Sequence, residues 1–254
     1  MSLFFNITAG YDLAQRVVKS VHGLRGFYDY TEPIFSLVDE KFLTLAAKPH
    51  KWTILHAFLL DFESESLESE YDALPLCENI DFFRGYLKMT GMLLPDWLSE
   101  SEIERHSDLL RNLINFAIHK ATISAFQILF NDREFLFEFN ILIRQAIDDD
   151  VKYKNKKWFN TNGYLRRPTY IPKWLEKAVY HRDKGRCQAC FKDVSGVIFQ
   201  FNQYHLDHII PLYDGGINDP TNFQLLCREC NLKKGKKEQK PSNQQVSFWD
   251  ISIA

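Results

Sequence analysis

At 254 residues, with 45% hydrophobic and 25% charged side chains, the chain has an ordinary globular composition and room for one large domain or two modest ones. Its net charge of −2 hides two unlike halves: residues 1–150 carry 13 Lys+Arg against 24 Asp+Glu, a net −11, and residues 151–254 carry 18 against 9, a net +9. The charge balance excludes the first half as a polyanion binder and makes the second half the candidate. No stretch reaches the length of a membrane-spanning helix. The apolar start "MSLFFNITAG" has neither the basic flank nor the long apolar run of a signal peptide. The expectation is a cytoplasmic protein with no membrane partner.

Residues 1–150 read as an acidic, mostly helical domain. Asp12–Leu24 alternates apolar and polar pairs at helical spacing, and "EPIFSLVDEKFLTLAA" places Pro33 near a helix start. Ser99 and Glu102 have capping-box spacing, and an apolar stripe follows from Ile103 through Leu109, Leu110, Leu113, Ile114, Ala117 and Ile118. A further helix opens at Asn131 or Asp132. The run "DFESESLESE" is read as a solvated face, and His56, His106 and His119 as ordinary surface or core histidines. A regulatory or protein-docking role, through a homodimer or a companion protein, is expected for this domain, with target recognition as the alternative.

Composition turns over at "IDDDVKYKNKKWFNTNGYLRRPTY", a basic and aromatic linker over 151–171. Lysines and arginines, Arg166 and Arg167 among them, suit phosphates, and the interleaved rings suit stacking; a plain solvated linker is an equal alternative. A helix from Pro172, with Trp174, Leu175, Ala178 and Val179 on one face, then leads to a stop at Gly185.

Of the five cysteines, Cys77 stands alone and is read as a partly buried small residue. The other four form two pairs, Cys187-x-x-Cys190 and Cys227-x-x-Cys230. Without a secretory signal, two such pairs point to metal before disulfides, and four thiolates suit a closed, structural tetrahedral Zn2+ site. A module of about 60 residues has little core, and a metal supplies the missing stability. Between the pairs, the β-rich "VIFQFNQYHLDHIIPL" must end just after His208, because Pro211 is ill-suited to a central strand. A turn-rich loop "YDGGINDPTN", a short strand "FQLL" and a basic helix opening at "NLKKGKK" follow.

Together "RCQAC", "LDHIIPL", "GG", "TNFQLLCREC" and "CNLKKGK", in that order from about Trp174 to Lys237, resemble the HNH nuclease family with its ββα-metal fold. The resemblance implies a small C-terminal HNH domain over 172–240, clipped by structural zinc; with the helical N-terminal domain before it and a tail over 241–254, the expected fold class is α+β. It matches Asp207 to the first ligand of a catalytic divalent metal, Asn231 to the second, His208 to the general base, and Asn222 to the middle Asn that positions loop and base. Lys233, Lys234 and Lys237 sit where a helix start would meet phosphates, with Lys234 the best fit. His205 shares a strand face with Asp207 and is open to three roles: third ligand, substrate contact or surface residue.

The chemistry stands without the family name. A hard cation on one carboxylate and one amide oxygen keeps positions open for phosphate and water, and oxygen ligands favour Mg2+ or Mn2+. A neutral imidazole near pH 7 can take a proton from attacking water. The expectation is a metal-dependent endonuclease that hydrolyses DNA, leaving 5′-phosphate and 3′-hydroxyl ends, as in restriction or phage defence; the choice of DNA over RNA is not fixed by the sequence. The alternative is a non-catalytic zinc module that binds nucleic acid or protein.

Overall fold

The structure, a computed structural model, describes residues 7–23, 39–73, 76–94, 107–147, 156–196 and 204–235, with residues 7, 71–73, 76–80 and 107 described through their backbone alone. The expected Ser99–Glu102 capping box, the helix start at Pro33, the strand residues before Tyr204, Lys237 and the tail lie outside the described residues. The chain divides into two compact units, Met1–Pro33 with Leu55–Leu129, and Ile34–Ile54 with Phe130–Ala254.

The first unit is helical. It contains α1 (Ile7–Val21), nearly all of α3 (Ile54–Ala73), α4 (Leu76–Met89) and α5 (Ser107–Leu129). On α1, Ala9, Leu13, Ala14 and Val17 form one buried stripe at helical spacing. It packs against α5, whose Ala117, Ala121 and Ala125 recur every fourth residue and are all buried. A Cβ at Gly10 would collide with Ser124, so the two backbones meet at a distance only glycine allows. Arg16 reaches across to the buried Glu63, with Ser66 (3.0 Å) and Asp12 (2.9 Å) as further acceptors.

The second unit contains α2 (Glu40–Ala47), α6 (Arg133–Ala146), α7 (Lys173–Arg182), β1 (Tyr204–His208), β2 (Phe223–Cys227) and α8 (Arg228–Lys234). Asp39 caps α2 by accepting from Phe42 N at 2.7 Å, and Asp132 caps α6 by accepting from Glu134 N and Phe135 N. The apolar stripe of α6 includes the buried Phe135, Leu136, Phe139 and Ile143, while Phe137 packs on Ile209 and Ile210 just past β1. β1 and β2 pair antiparallel, Tyr204 opposite Cys227 and His208 opposite Phe223. Leu175 and Val179 of α7 join Cys187, Val194, Phe223, Leu225 and Leu226 in the small core of this region.

Two features differ from the sequence pattern. The basic-aromatic stretch is folded: Phe159 and Leu165 are buried and bridge to each other, and Arg166 N bonds to Trp158 O at 3.0 Å. Its alternating rings and charges look solvent-facing, but a short hairpin buries Phe159 and Leu165 and leaves Arg166 and Arg167 exposed. The last helix begins at Arg228 rather than at the basic run, because Cys227 is its N-cap and accepts from Cys230 N at 3.4 Å. The second cysteine pair is thus the first turn of α8.

Candidate active site and metal centre

The four cysteines converge. The sulfur atoms of Cys187, Cys190, Cys227 and Cys230 all lie within 4.8 Å of one another. Phe191, at φ 61°, and Gly185, at φ 60°, turn the chain around the first pair. Four sulfurs at this spacing, with no other donor type, fit one tetrahedral soft cation, so the residues present suit structural zinc.

β1 ends at His208, as Pro211 requires, and its last two side chains go to different partners. Asp207 faces Gln224 in register and accepts from Gln224 Nε2 at 3.2 Å and from Lys234 Nζ at 2.6 Å, both through Oδ2. Gln224 is oriented by Arg133, which donates to its Oε1 at 2.7 Å, so its amide must offer N–H to Asp207. Arg133 in turn lies 3.8 Å from Asp183, which also holds Arg182 and accepts from Leu225 N. A buried chain of charges therefore sets the pose of one half-exposed carboxylate.

Asp207 Oδ1 makes no hydrogen bond among the described residues, and the side chain is 19% exposed. Asn231 is half-buried on α8, three residues before Lys234 and so on the same helix face. One free carboxylate oxygen and one amide on the face that reaches it suit a hard cation, not a soft one. Lys234, only 2% exposed, was expected on phosphate. The structure gives its ammonium to Asp207 and to the His208 carbonyl, at 2.6 Å each. Lys233 is exposed on the same helix, as are Arg166 and Arg167 on their hairpin.

His208 is buried against Phe223, ring centroids 4.4 Å apart. Its Nε2 meets Asn218 Oδ1 at 3.1 Å. Asn218 was not singled out in the sequence, yet it decides the tautomer. Its Nδ2 donates to Ala47 O (3.0 Å) and Arg166 O (2.9 Å), so its Oδ1 is the acceptor and His208 Nε2 must carry the proton. Nδ1 is left with the lone pair. Burial pushes the His208 pKa down to about 4, partly opposed by the Asn218 bond and by Asp207, so the ring is neutral at pH 7.

Asn222 is fully buried and laces the loop shut. Its Oδ1 accepts from Ile210 N, and its Nδ2 donates to Ile210 O and Ile217 O, all at 2.8–2.9 Å. Its side-chain bonds go to the loop backbone that follows His208. Gly216 lies inside this loop, and a Cβ there would run into the Ile210 carbonyl. His205, opposite Leu226, keeps its Nε2 buried with no hydrogen-bond partner among the described residues.

Residues 187–237 match the family model described as HNH endonuclease. The chain carries an HNH endonuclease domain in its C-terminal region, and the four-cysteine cluster fits the zinc-clipped form. It is also similar to a "Probable HNH endonuclease" of Lactococcus phage SK1, 28% identical over 103 residues, covering 38% of this chain and 86% of the relative. No solved structure matches the chain. Both matches point to nuclease chemistry, a nucleic-acid substrate and metal binding. Among the described residues, no single helix is long and apolar enough to cross a membrane.

Proposed function

We propose that this protein is a divalent-metal-dependent endonuclease that hydrolyses DNA phosphodiesters, leaving a 5′-phosphate and a 3′-hydroxyl. The observation that carries this reading is the pose of His208. It is neutral, held by Asn218 with its Nδ1 lone pair uncommitted, and adjacent in the chain to an oriented carboxylate. Asp207 and Asn231 would hold the cation, Mg2+ or Mn2+ by donor type. When bound, it supplies positive charge to the phosphate and the departing oxygen.

His208 Nδ1 takes a proton from water as the water oxygen bonds to phosphorus. The bond from phosphorus to the 3′-oxygen breaks, the 3′-oxygen takes a proton from solvent, and the imidazolium returns its own to solvent. Asn218 keeps the ring from turning over during this exchange. Lys234 pins the His208 carbonyl and the Asp207 carboxylate together. Lys233, Arg166 and Arg167 are proposed contacts to the DNA backbone, and the four cysteines are proposed to hold zinc. The helical unit is proposed to dock a partner or to regulate the nuclease.

The test is cleavage of plasmid DNA by purified protein with Mg2+. Wild type should nick or cut it, and His208→Ala should lose at least about 100-fold in rate while still carrying zinc by elemental analysis. Equal cleavage by His208→Ala would remove the role assigned to that ring.

A further inference from the structure

Beside the proposed active site lies a second concave feature of about 490 Å3, within the volume range of small-ligand sites. Two segments of the second unit build it: the chain after α2, with Lys48, and the hairpin and its exit, with Lys157, Trp158, Arg166, Arg167 and Tyr170. No carboxylate among the described residues lines it. Lys157 pairs with Glu40 outside the lining, and the ammonium groups of Lys157 and Lys48 stand over the Trp158 ring at 4.9 and 5.6 Å. The rest of the wall is mostly apolar, Ala47 and three prolines beside Thr169. Tyr170 is 66% exposed.

The cleft is one side chain from the general base. Asn218 donates to Ala47 O and Arg166 O on the cleft side and meets His208 on the other. The cleft and the general base thus share Asn218 as a common neighbour.

Phosphate contact explains the four cations but not the rest. A duplex presents phosphates outward and keeps both faces of each base stacked, so it needs neither an exposed ring nor apolar walls. An unpaired nucleotide uses all three: charge for its phosphate, an aromatic face for its base and an apolar floor beneath.

We propose that this cleft receives one unpaired nucleotide of the substrate strand next to the scissile phosphate. Lys48, Arg166 and Arg167 hold its phosphates, and its base stacks on Tyr170. The substrate class is then DNA with a single-stranded segment at the cut, such as a gap, flap or loop, in preference to continuous duplex. This rests on the nuclease reading for the word "cut", but binding can be tested apart from it.

Binding is measured by fluorescence anisotropy on full-length His208→Ala protein, with a labelled oligonucleotide offered as a continuous duplex, as the same duplex with a short gap, and as a single strand. The gapped and single-stranded forms should bind about tenfold more tightly than the duplex. Adding Tyr170→Ala should erase about tenfold of that preference, leaving duplex affinity within about twofold; Tyr170→Phe should retain it. Tyr170 is exposed, so its removal does not threaten folding. Equal affinity for all three forms, no binding to any, or a Tyr170→Ala loss shared by duplex and gapped DNA would each overturn the cleft assignment. The expected binding pattern from a wild-type protein that never cleaves would keep the cleft and remove the nuclease reading instead.

Discussion

The two units bury polar groups in different ways. In the helical unit, the buried polar side chains are mostly single hydroxyls such as Thr90, Thr122 and Ser124, with one buried acid, Glu63, matched by Arg16. In the second unit they are charges and amides in a connected set: Arg133, Arg182, Asp183, Gln224, Lys234, and the run Asn218, Asp219, Thr221 and Asn222. A loop buried this completely is costly unless every polar group is matched. Here nearly all the bonds made by Asn218 and Asn222 serve one end, which is to hold the turn after β1. The first unit spends its sequence on packing; the second spends stability on the pose of two side chains.

Removing the metal proposed for the cysteines should separate the units most. A strong chelator, or Cys187→Ser, should abolish the cooperative unfolding of the second unit, since structural zinc carries on the order of 10 kcal/mol of folding free energy in small modules. The helical circular-dichroism signal of the first unit should persist. Loss of both together would show that the division into units is not energetic.

Asn218→Leu comes next. It orphans His208 Nε2 and two carbonyls, and it frees the ring to choose its tautomer. Cleavage should fall at least about 100-fold and stability by about 2–4 kcal/mol. Cleavage kept within threefold would mean that His208 is held by something else. The comparable change in the first unit is Arg16→Met, which leaves Glu63 buried without its partner and should cost about 3 kcal/mol with cleavage unchanged.

One ion pair from each unit, Arg16–Glu63 and Lys234–Asp207, sharpens the same contrast. Replacing both members of a buried pair by apolar residues is often neutral. Arg16→Met with Glu63→Leu should therefore restore stability to within about 1 kcal/mol of wild type and leave cleavage intact. Lys234→Met with Asp207→Leu should also recover stability relative to Lys234→Met alone, but without any recovery of cleavage. Recovery of activity by the second double variant would deny Asp207 its place at the metal.

Much of the proposed site could be read from the residues because its parts are local. Cysteine pairs announce themselves by spacing, Pro211 ends a strand wherever it falls, and the Asp-His step is contiguous. What escaped was long-range. Asn218 sits in "GGINDPTN", a run of turn residues that looks solvent-exposed, and its partners Ala47 and Arg166 lie 171 and 52 positions away. Lys234 reads from the sequence as a phosphate contact at a helix start; that its ammonium meets Asp207 and the His208 carbonyl depends on the packing of α8 against β1, which spacing does not announce. The charge turnover near residue 150 marks composition, whereas the compact units part elsewhere, with Ile34–Ile54 grouped with the later residues. Asn218 N bonds to Ala46 O at 2.7 Å, a join that no periodicity announces.

The smallest expected effect belongs to the first unit and concerns His56. It stacks on Phe126 with centroids 3.7 Å apart, and burial pushes its pKa from 6.5 down to about 4. In the unfolded chain the same ring takes a proton below about pH 6.5. Between those two values the unfolded state binds more protons than the folded one, so stability rises with pH there and is lost as pH falls through it. From pH 7 to pH 5.5 the loss assigned to His56 is about 1 kcal/mol. His56→Phe keeps an aromatic ring against Phe126 and cannot titrate, so its unfolding midpoint should fall less over that pH step than the wild-type midpoint does. An identical fall in both proteins would mean that the ring is already free to charge in the folded unit, and that its burial among helices is looser than the stacking on Phe126 implies.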